Sequence, residues 1–212
     1  MPKALSEPKV EEFRRRLCAV AATQFARRGY AGVTMRELAK ALRVSAMTPY
    51  RYFRDRDEIL ASARAAAFGC FSDCLEKALA RRGDALSKSR AVGRAYLDFA
   101  LAHPQDYRLM FDLTQPDESR YPELSRQSAR AKAVLKKQVA ALAEAGLVSA
   151  DTAALEYTLW AAIHGVIVLH LAGKYTRAEC LKAYRQAMGF LFSGFALSAA
   201  PQGHIANKRR RS

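Results

Sequence analysis

Much of what marks common enzyme and scaffold classes is scarce in this chain. Tryptophan occurs once in 212 residues, aromatic residues make up 9%, and runs of β-branched residues between turn signals are sparse, which argues against a strand-based fold. The four cysteines (Cys18, Cys70, Cys74, Cys180) form no C-x-x-C pair, so neither a zinc module nor a disulfide framework is written into the sequence. They are expected to be small hydrophobes in a reducing cytoplasm. Cys70 and Cys74 would share one helical face, which leaves a metal or redox pair open as an alternative there. The opening MPKALSEPKVEEFRRR lacks the apolar core of a secretion signal. The longest apolar run, Leu159 to Gly173, is interrupted by His164 and His170. It is shorter than the roughly 20 residues a bilayer span needs, and it reads as a helix buried on most sides. No internal repeat, glycine-rich phosphate loop or metal-ligand spacing is present, and no cofactor is expected.

Acidic residues are also under-represented. There are 20 Asp and Glu against 35 Lys and Arg, a formal charge of +15. Such an excess favours polyanionic partners, because every phosphate neutralised releases counterions. Nucleic acid is the first candidate and an anionic membrane surface the second. Half the residues are hydrophobic, ample for a packed core.

What is present is helical periodicity. Residues 1–8 read as a flexible lead-in. Phe13, Leu17, Val20, Ala21 and Phe25 then recur at three- and four-residue steps and make one apolar stripe, with Arg14, Arg15, Arg16, Arg27 and Arg28 mostly off it and Gly29 as a stop. Thr34-Met35-Arg36-Glu37 is a capping box that opens a short second helix carrying Leu38, Ala39 and Leu42. Ser45 can cap a third helix after a tight gap, as in two short helices crossing steeply. Further helices are expected from about Asp55 to Arg81, about Lys88 to Ala102, Pro104 to Phe111, about Glu123 to Ala145, Ser149 to Gly173 with Ser149 as cap, and Thr176 to Leu197, opened by the capping box Thr176-Arg177-Ala178-Glu179. The total is about nine helices. Residues 199–212, ending in Lys208-Arg209-Arg210-Arg211, are expected to be a disordered basic tail.

Arg14 to Leu60 hangs together as one unit: a supporting helix, a second lying across a DNA backbone, and a third short enough to enter a major groove. The third segment exposes Ala46, Met47, Thr48, Tyr50, Arg51 and Tyr52. Thr and Arg can read base edges, Ala or Met can touch a thymine methyl, and tyrosine hydroxyls can reach phosphates. The plainer alternative is a short connecting helix with a tyrosine plug.

The run FARRGYAGVTMRELAKALRVSAMTPYRYFRDRDEIL, Phe25 to Leu60, resembles the DNA-binding domain of the TetR family of repressors. The resemblance implies an all-α fold, with a helix-turn-helix domain at residues 9–54 and a larger helical effector-binding and dimerisation domain at 55–198. It places Thr34, Met35 and Arg36 near DNA phosphate, Ser45 to Tyr52 in the recognition helix, and Phe53 as the aromatic that packs this helix on the core. Two departures stand out. Arg43 occupies a position where the family often has glycine. Met47 and Pro49 replace a small residue and a branched aliphatic, and proline inside a helix removes a hydrogen bond, so a short or tightened recognition helix is expected.

Trp160, His164 and Gly165, with the stretch His103 to Phe111, resemble the C-terminal domain of some TetR-like regulators. On that reading Tyr107, Met110, Phe111, Tyr157, Trp160 and His164 line an apolar effector cavity. The alternative is a core tryptophan beside a hydrogen-bonded histidine. The resemblance also implies a homodimer through the last two helices, released from palindromic operator DNA by a hydrophobic small molecule and involving no membrane. Two other classes compete: a sequence-blind, nucleoid-like DNA binder, and an α-helical enzyme using His164 with a carboxylate or the Cys70–Cys74 pair.

Overall fold

A computed structural model describes residues 7–111, 117–148 and 151–199, with side chains to residue 194. Among the described residues there are eight α-helices and no strand: α1 Glu7–Arg28, α2 Met35–Ala41, α3 Arg56–Leu79, α4 Ala85–Ala102, α5 Pro104–Phe111, α6 Pro122–Glu144, α7 Thr152–Leu171 and α8 Arg177–Ala199. Expected and observed ends agree within a few residues because most of the boundaries are local chemistry. The Thr34 hydroxyl accepts from the Glu37 amide while the Glu37 carboxylate accepts from the Thr34 amide. Thr176 and Glu179 repeat the pattern at α8. Gly29, Gly146 and Gly173 stop their helices with positive φ. The cap of α7 differs from expectation. Asp151 accepts from the Ala154 amide, and Ser149 lies outside the described residues. The C-terminal run Lys208 to Arg211 lies outside them as well.

The ninth expected helix is the third one. Residues 46–48 turn, and Pro49–Arg51 forms a single 3-10 turn with proline at its first position. Pro49 has no N–H to donate and fixes its own φ. The segment therefore closes through i→i−3 bonds, from the Arg51 amide to the Thr48 carbonyl (3.1 Å) and from the Tyr52 amide to the Pro49 carbonyl (3.0 Å).

The chain divides into two compact units. The first comprises residues 1–82 and 90–135 and the second 83–89 and 136–212. In the first, the α1 stripe closes as the sequence implied. Leu17, Ala21 and Phe25 are buried with Val33, Leu38, Phe53, Ile59, Leu60, Ala63 and Leu109, while Phe13 and Val20 pack at the edge. A second cluster is aromatic: Phe71 meets Tyr96 edge-on (4.8 Å) and Phe99 (5.1 Å), and Tyr107 meets Phe111 (4.9 Å). Polar ties hold α6 and the segment before it to α3. Arg130 pairs with Asp73 and Glu76, each at 2.7 Å. Arg64, buried, pairs with Glu118 at 2.5 Å and donates to the Met110 carbonyl.

The second unit packs Val139, Leu142, Val148, Leu155 and Leu159 against Met188, Leu191 and Phe192. The helix containing the apolar run begins earlier than the run itself, so α7 has 20 residues, an 18-residue stretch of which has a mean hydropathy of 1.4. Core helices of soluble proteins share this length and composition, and the expectation of a helix buried on most sides is the one corrected. Only 22% of that stretch is buried, and Tyr157, Trp160, Val168 and Leu169 are exposed.

Candidate nucleic-acid interface

The helix-turn-helix geometry is set by how α2 ends. The Val44 amide donates to the Ala39 carbonyl (3.0 Å) and the Arg43 amide to the Lys40 carbonyl (3.1 Å), the bond pair of a Schellman stop. The same pair recurs after α6 at Gly146 and after α7 at Gly173. At α2 the left-handed residue is Arg43, with φ +56°, the single non-glycine residue at positive φ among those described. This stop reverses the chain and leads it into the Ser45–Tyr52 segment. Ser45 Oγ and Thr48 Oγ1 lie 2.9 Å apart and tie the segment's start.

Underneath, three contacts fix the segment to α1 and α3. Phe53 is buried beneath it, as the resemblance implied. The Arg14 guanidinium sits 4.0 Å from the Phe53 ring centroid, donates to the Tyr52 carbonyl and faces Glu58 at 3.7 Å. Tyr52 stacks on Phe13 with centroids 4.2 Å apart. A second arginine clamp holds the α1–α2 connection against α3. Arg56 donates to the carbonyls of Tyr30 (3.1 Å) and Val33 (2.7 Å) and covers the Tyr30 ring, whose hydroxyl donates to Asp57. Burial raises the Tyr30 phenol and the Asp57 hydrogen bond adds to it, so the donor stays protonated. Sequence reasoning missed Arg14 and Arg56 as positioning residues, because their role depends on aromatic rings that are distant in sequence.

The expected contact residues divide by exposure. Arg36, Ser45, Ala46, Met47, Tyr50 and Arg51 are exposed, with Met47 at 68%. Thr48 and Tyr52 are half-buried. Thr34 is exposed, but its hydroxyl and amide are committed to Glu37. That carboxylate also pairs with Arg28 at 2.7 Å, and these hydrogen bonds hold it below the usual carboxylate range. Met35 differs from its neighbours. Its side chain is 7% exposed and belongs to the core, because the first position of α2 points back onto α1 and only its backbone faces the helix N-terminus. Arg27, Lys40, Arg43 and Arg54 are exposed on the same small domain, so the recognition segment has a cationic surround.

The six residues expected to line an effector cavity are not gathered into one cluster within either unit. Tyr107 and Met110 are packed solid in the first unit, where the Tyr107 and Tyr96 hydroxyls lie 3.2 Å apart and burial pushes the Tyr107 phenol well up. Phe111 is half-buried beside them. Tyr157 (69% exposed) and Trp160 (39%) lie on the surface of the second unit. His164 is half-buried, its ring 6.0 Å from that of Trp160, and burial lowers its pKa. No group of three metal-binding side chains occurs among the described residues, and all four cysteines are free thiols.

Comparison with known proteins accounts for both halves. The profile "Bacterial regulatory proteins, tetR family" matches residues 17–63, which span the core and the recognition segment just described. The profile "Tetracyclin repressor-like, C-terminal domain" matches residues 89–188 and takes in α7. No curated protein sequence matches significantly. Among solved structures, a protein of unknown function from Rhodococcus sp. RHA1 is 24% identical with a TM-score of 0.74, over 92% of this chain and 99% of its own. A TetR family transcription regulator from Marinobacter aquaeolei VT8 is 19% identical, with a TM-score of 0.69 over 87% and 97%. The fatty acid degradation regulator FadR from Bacillus halodurans is 17% identical, with a TM-score of 0.70 over 85% and 98%. With a helix-turn-helix head, a helical body and both family profiles aligned in order, the chain belongs to the TetR family of bacterial transcription regulators.

Proposed function

We propose that this protein is a dimeric repressor that recognises a palindromic operator and is released from it by a hydrophobic small molecule. The observation that carries the DNA-reading part is the exposed segment Ser45–Tyr52, presented by a Schellman stop on one side and the Arg14–Phe53 clamp on the other. Its side chains suit the task. Arg51 offers a bidentate donor to guanine, Ala46 and Met47 suit thymine methyls, and Ser45, Thr48 and the Tyr50 and Tyr52 hydroxyls suit base edges and phosphates. Arg36 and the Met35 backbone amide meet phosphate at the N-terminus of α2, which the Thr34 cap holds in place. Residues 9–54 act as the DNA-binding part and 55–198 as the effector and dimerisation part.

Dimerisation through α7 and α8 is supported by their uncovered apolar surface. Tyr157, Trp160, Val168, Leu169 and Phe190 are exposed in the single chain, and a side chain at Gly165 or Gly189 would meet nothing within 4 Å. A large exposed apolar patch marks an interface. Two copies would set their recognition segments one helical turn apart, about 34–36 Å. The work is done where the chromosome is, in the cytoplasm.

The test is selection of bound duplexes from a random pool at near-physiological salt. A palindrome is expected, and Arg51→Ala should relax one position in each half-site, costing about 1–3 kcal/mol, while Tyr50→Phe weakens binding without changing the sequence. Recovery of no preferred sequence would replace this reading with charge-driven, sequence-blind DNA binding.

A further inference from the structure

The first unit contains a half-open cavity of about 610 Å³ between α1, α3, α5 and the start of α6. Cavities of about 300–1,000 Å³ are of the size that holds small molecules. Its walls are small and apolar: Cys18, Ala19 and Ala22 on α1 face Ala66, Gly69 and Cys70 on α3. No side chain at these positions is long enough to fill the space. A methyl group at Gly69 would reach only ordinary contact with Gln127 (3.5 Å), so the room is not needed for helix packing there.

The rim has a charge opposite to that of the whole molecule. In a chain of +15, three carboxylates (Glu11, Asp106, Glu123) and two guanidiniums (Arg14, Arg15) border the cavity. Both cations are already paired with carboxylates that do not line it: Arg14 faces Glu58 at 3.7 Å and Arg15 pairs with Glu12 at 2.7 Å. Glu123 is matched by Arg126 at 2.7 Å. Asp106 faces His103 at 3.8 Å and pairs with no lysine or arginine among the described residues, and Glu11 has no ion-pair partner among them. Two carboxylates without a lysine or arginine partner among the described residues, Glu11 and Asp106, therefore border an apolar hollow. The thiols add no charge, since burial pushes Cys18 up to about 11 and also raises Cys70. They act as soft apolar wall, not as nucleophiles.

We propose that this cavity binds an organic cation with a bulky apolar body, such as a quaternary ammonium or phosphonium compound, its apolar part against the alanine walls and its charge toward Glu11 and Asp106. An inorganic anion or a fatty-acid carboxylate would meet like charge at the rim. Because α1 contributes Leu17 and Phe25 to the core beneath the recognition segment, an occupant wedged between α1 and α3 bears on that segment. As an effector site the cavity thus rests on the DNA-binding reading, and as a binding site it does not.

The test uses the full-length protein without DNA, so its outcome is independent of operator selection. Methyltriphenylphosphonium and its neutral analogue triphenylphosphine oxide are titrated by calorimetry. The cation is expected to bind at least tenfold more tightly than the oxide. Glu11→Gln with Asp106→Asn, the first exposed and the second half-buried outside the core, should remove that preference, and Ala66→Trp, at an exposed wall position, should abolish binding of both compounds while leaving the melting curve intact. Equal affinity for the two compounds, no binding of the cation, or cation binding unchanged in the double variant would each overturn the proposal.

Discussion

Arg43 shows how one side chain can be kept at a conformational cost. A left-handed conformation costs an ordinary residue roughly 1–2 kcal/mol, and glycine occupies the equivalent stop after α6 and after α7. Glycine also loses more freedom on folding, by about 0.5–1 kcal/mol, so Arg43→Gly is expected to stabilise the chain by at most about 1 kcal/mol. That is a rise of roughly 2–4 °C in Tm for a chain of this size. The exposed guanidinium lies beside the recognition segment, and its loss should weaken operator binding and reduce the salt slope by about one unit. A melt and a salt titration check both signs; unchanged DNA affinity would make the arginine a strain without a use. His164 gives a second prediction at this scale. Burial holds its folded pKa below the usual value, so the unfolded chain takes up the proton first as pH falls. Stability is therefore complete above the unfolded value of about 6.5 and declines as pH drops toward the depressed folded value. His164→Gln should flatten this slope in urea melts at pH 7.5 and 5.5.

At the scale of the element, α2 depends on its cap. Thr34→Ala removes both the hydroxyl acceptor for the Glu37 amide and a donor to its carboxylate. The loss is expected to be about 1 kcal/mol, with Thr34→Ser restoring most of it in the same denaturant series. Caps of this kind explain why the helices were legible from the sequence. The signals at Thr34, Thr176, Gly29, Gly146 and Gly173 act through bonds spanning three to five residues, so a short window contains all the participants. Pro49 was legible for the same reason, and the recognition segment tightened into a 3-10 turn as its fixed φ implied. What the window could not contain was the choice of neighbour. Met35 sits in a contact motif yet is buried, because its orientation is set by α1 packing on α2. Tyr157 and Trp160 are exposed on the second unit, Met110 is buried, and Tyr107 is consumed by an aromatic cluster that also draws on α3 and α4. The alanine-walled cavity gave no sequence signal at all, since small residues on two helices become a hollow only when the helices face each other.

For the whole molecule, the pairing proposed through the exposed apolar surface of α7 and α8 would tie folding to assembly. A chain that buries this surface only against a second copy has a Tm that rises with protein concentration. Tyr157→Glu with Phe190→Glu, at positions 69% and 76% exposed, should leave helicity intact, give the mass of one copy in sedimentation, and lose palindrome preference while keeping weak attraction to any DNA. A variant still sedimenting as a dimer would move the interface elsewhere. The core beneath the recognition segment has a practical consequence of its own. It draws on Ile59, Leu60 and Ala63 of α3 and on Leu109 of α5 as well as on α1 and α2. The DNA-reading head is thus not an exchangeable cartridge. A chimeric regulator joined at residue 54 would inherit half a core, and the seam that preserves it has to carry α3 and its α5 neighbour along with the head.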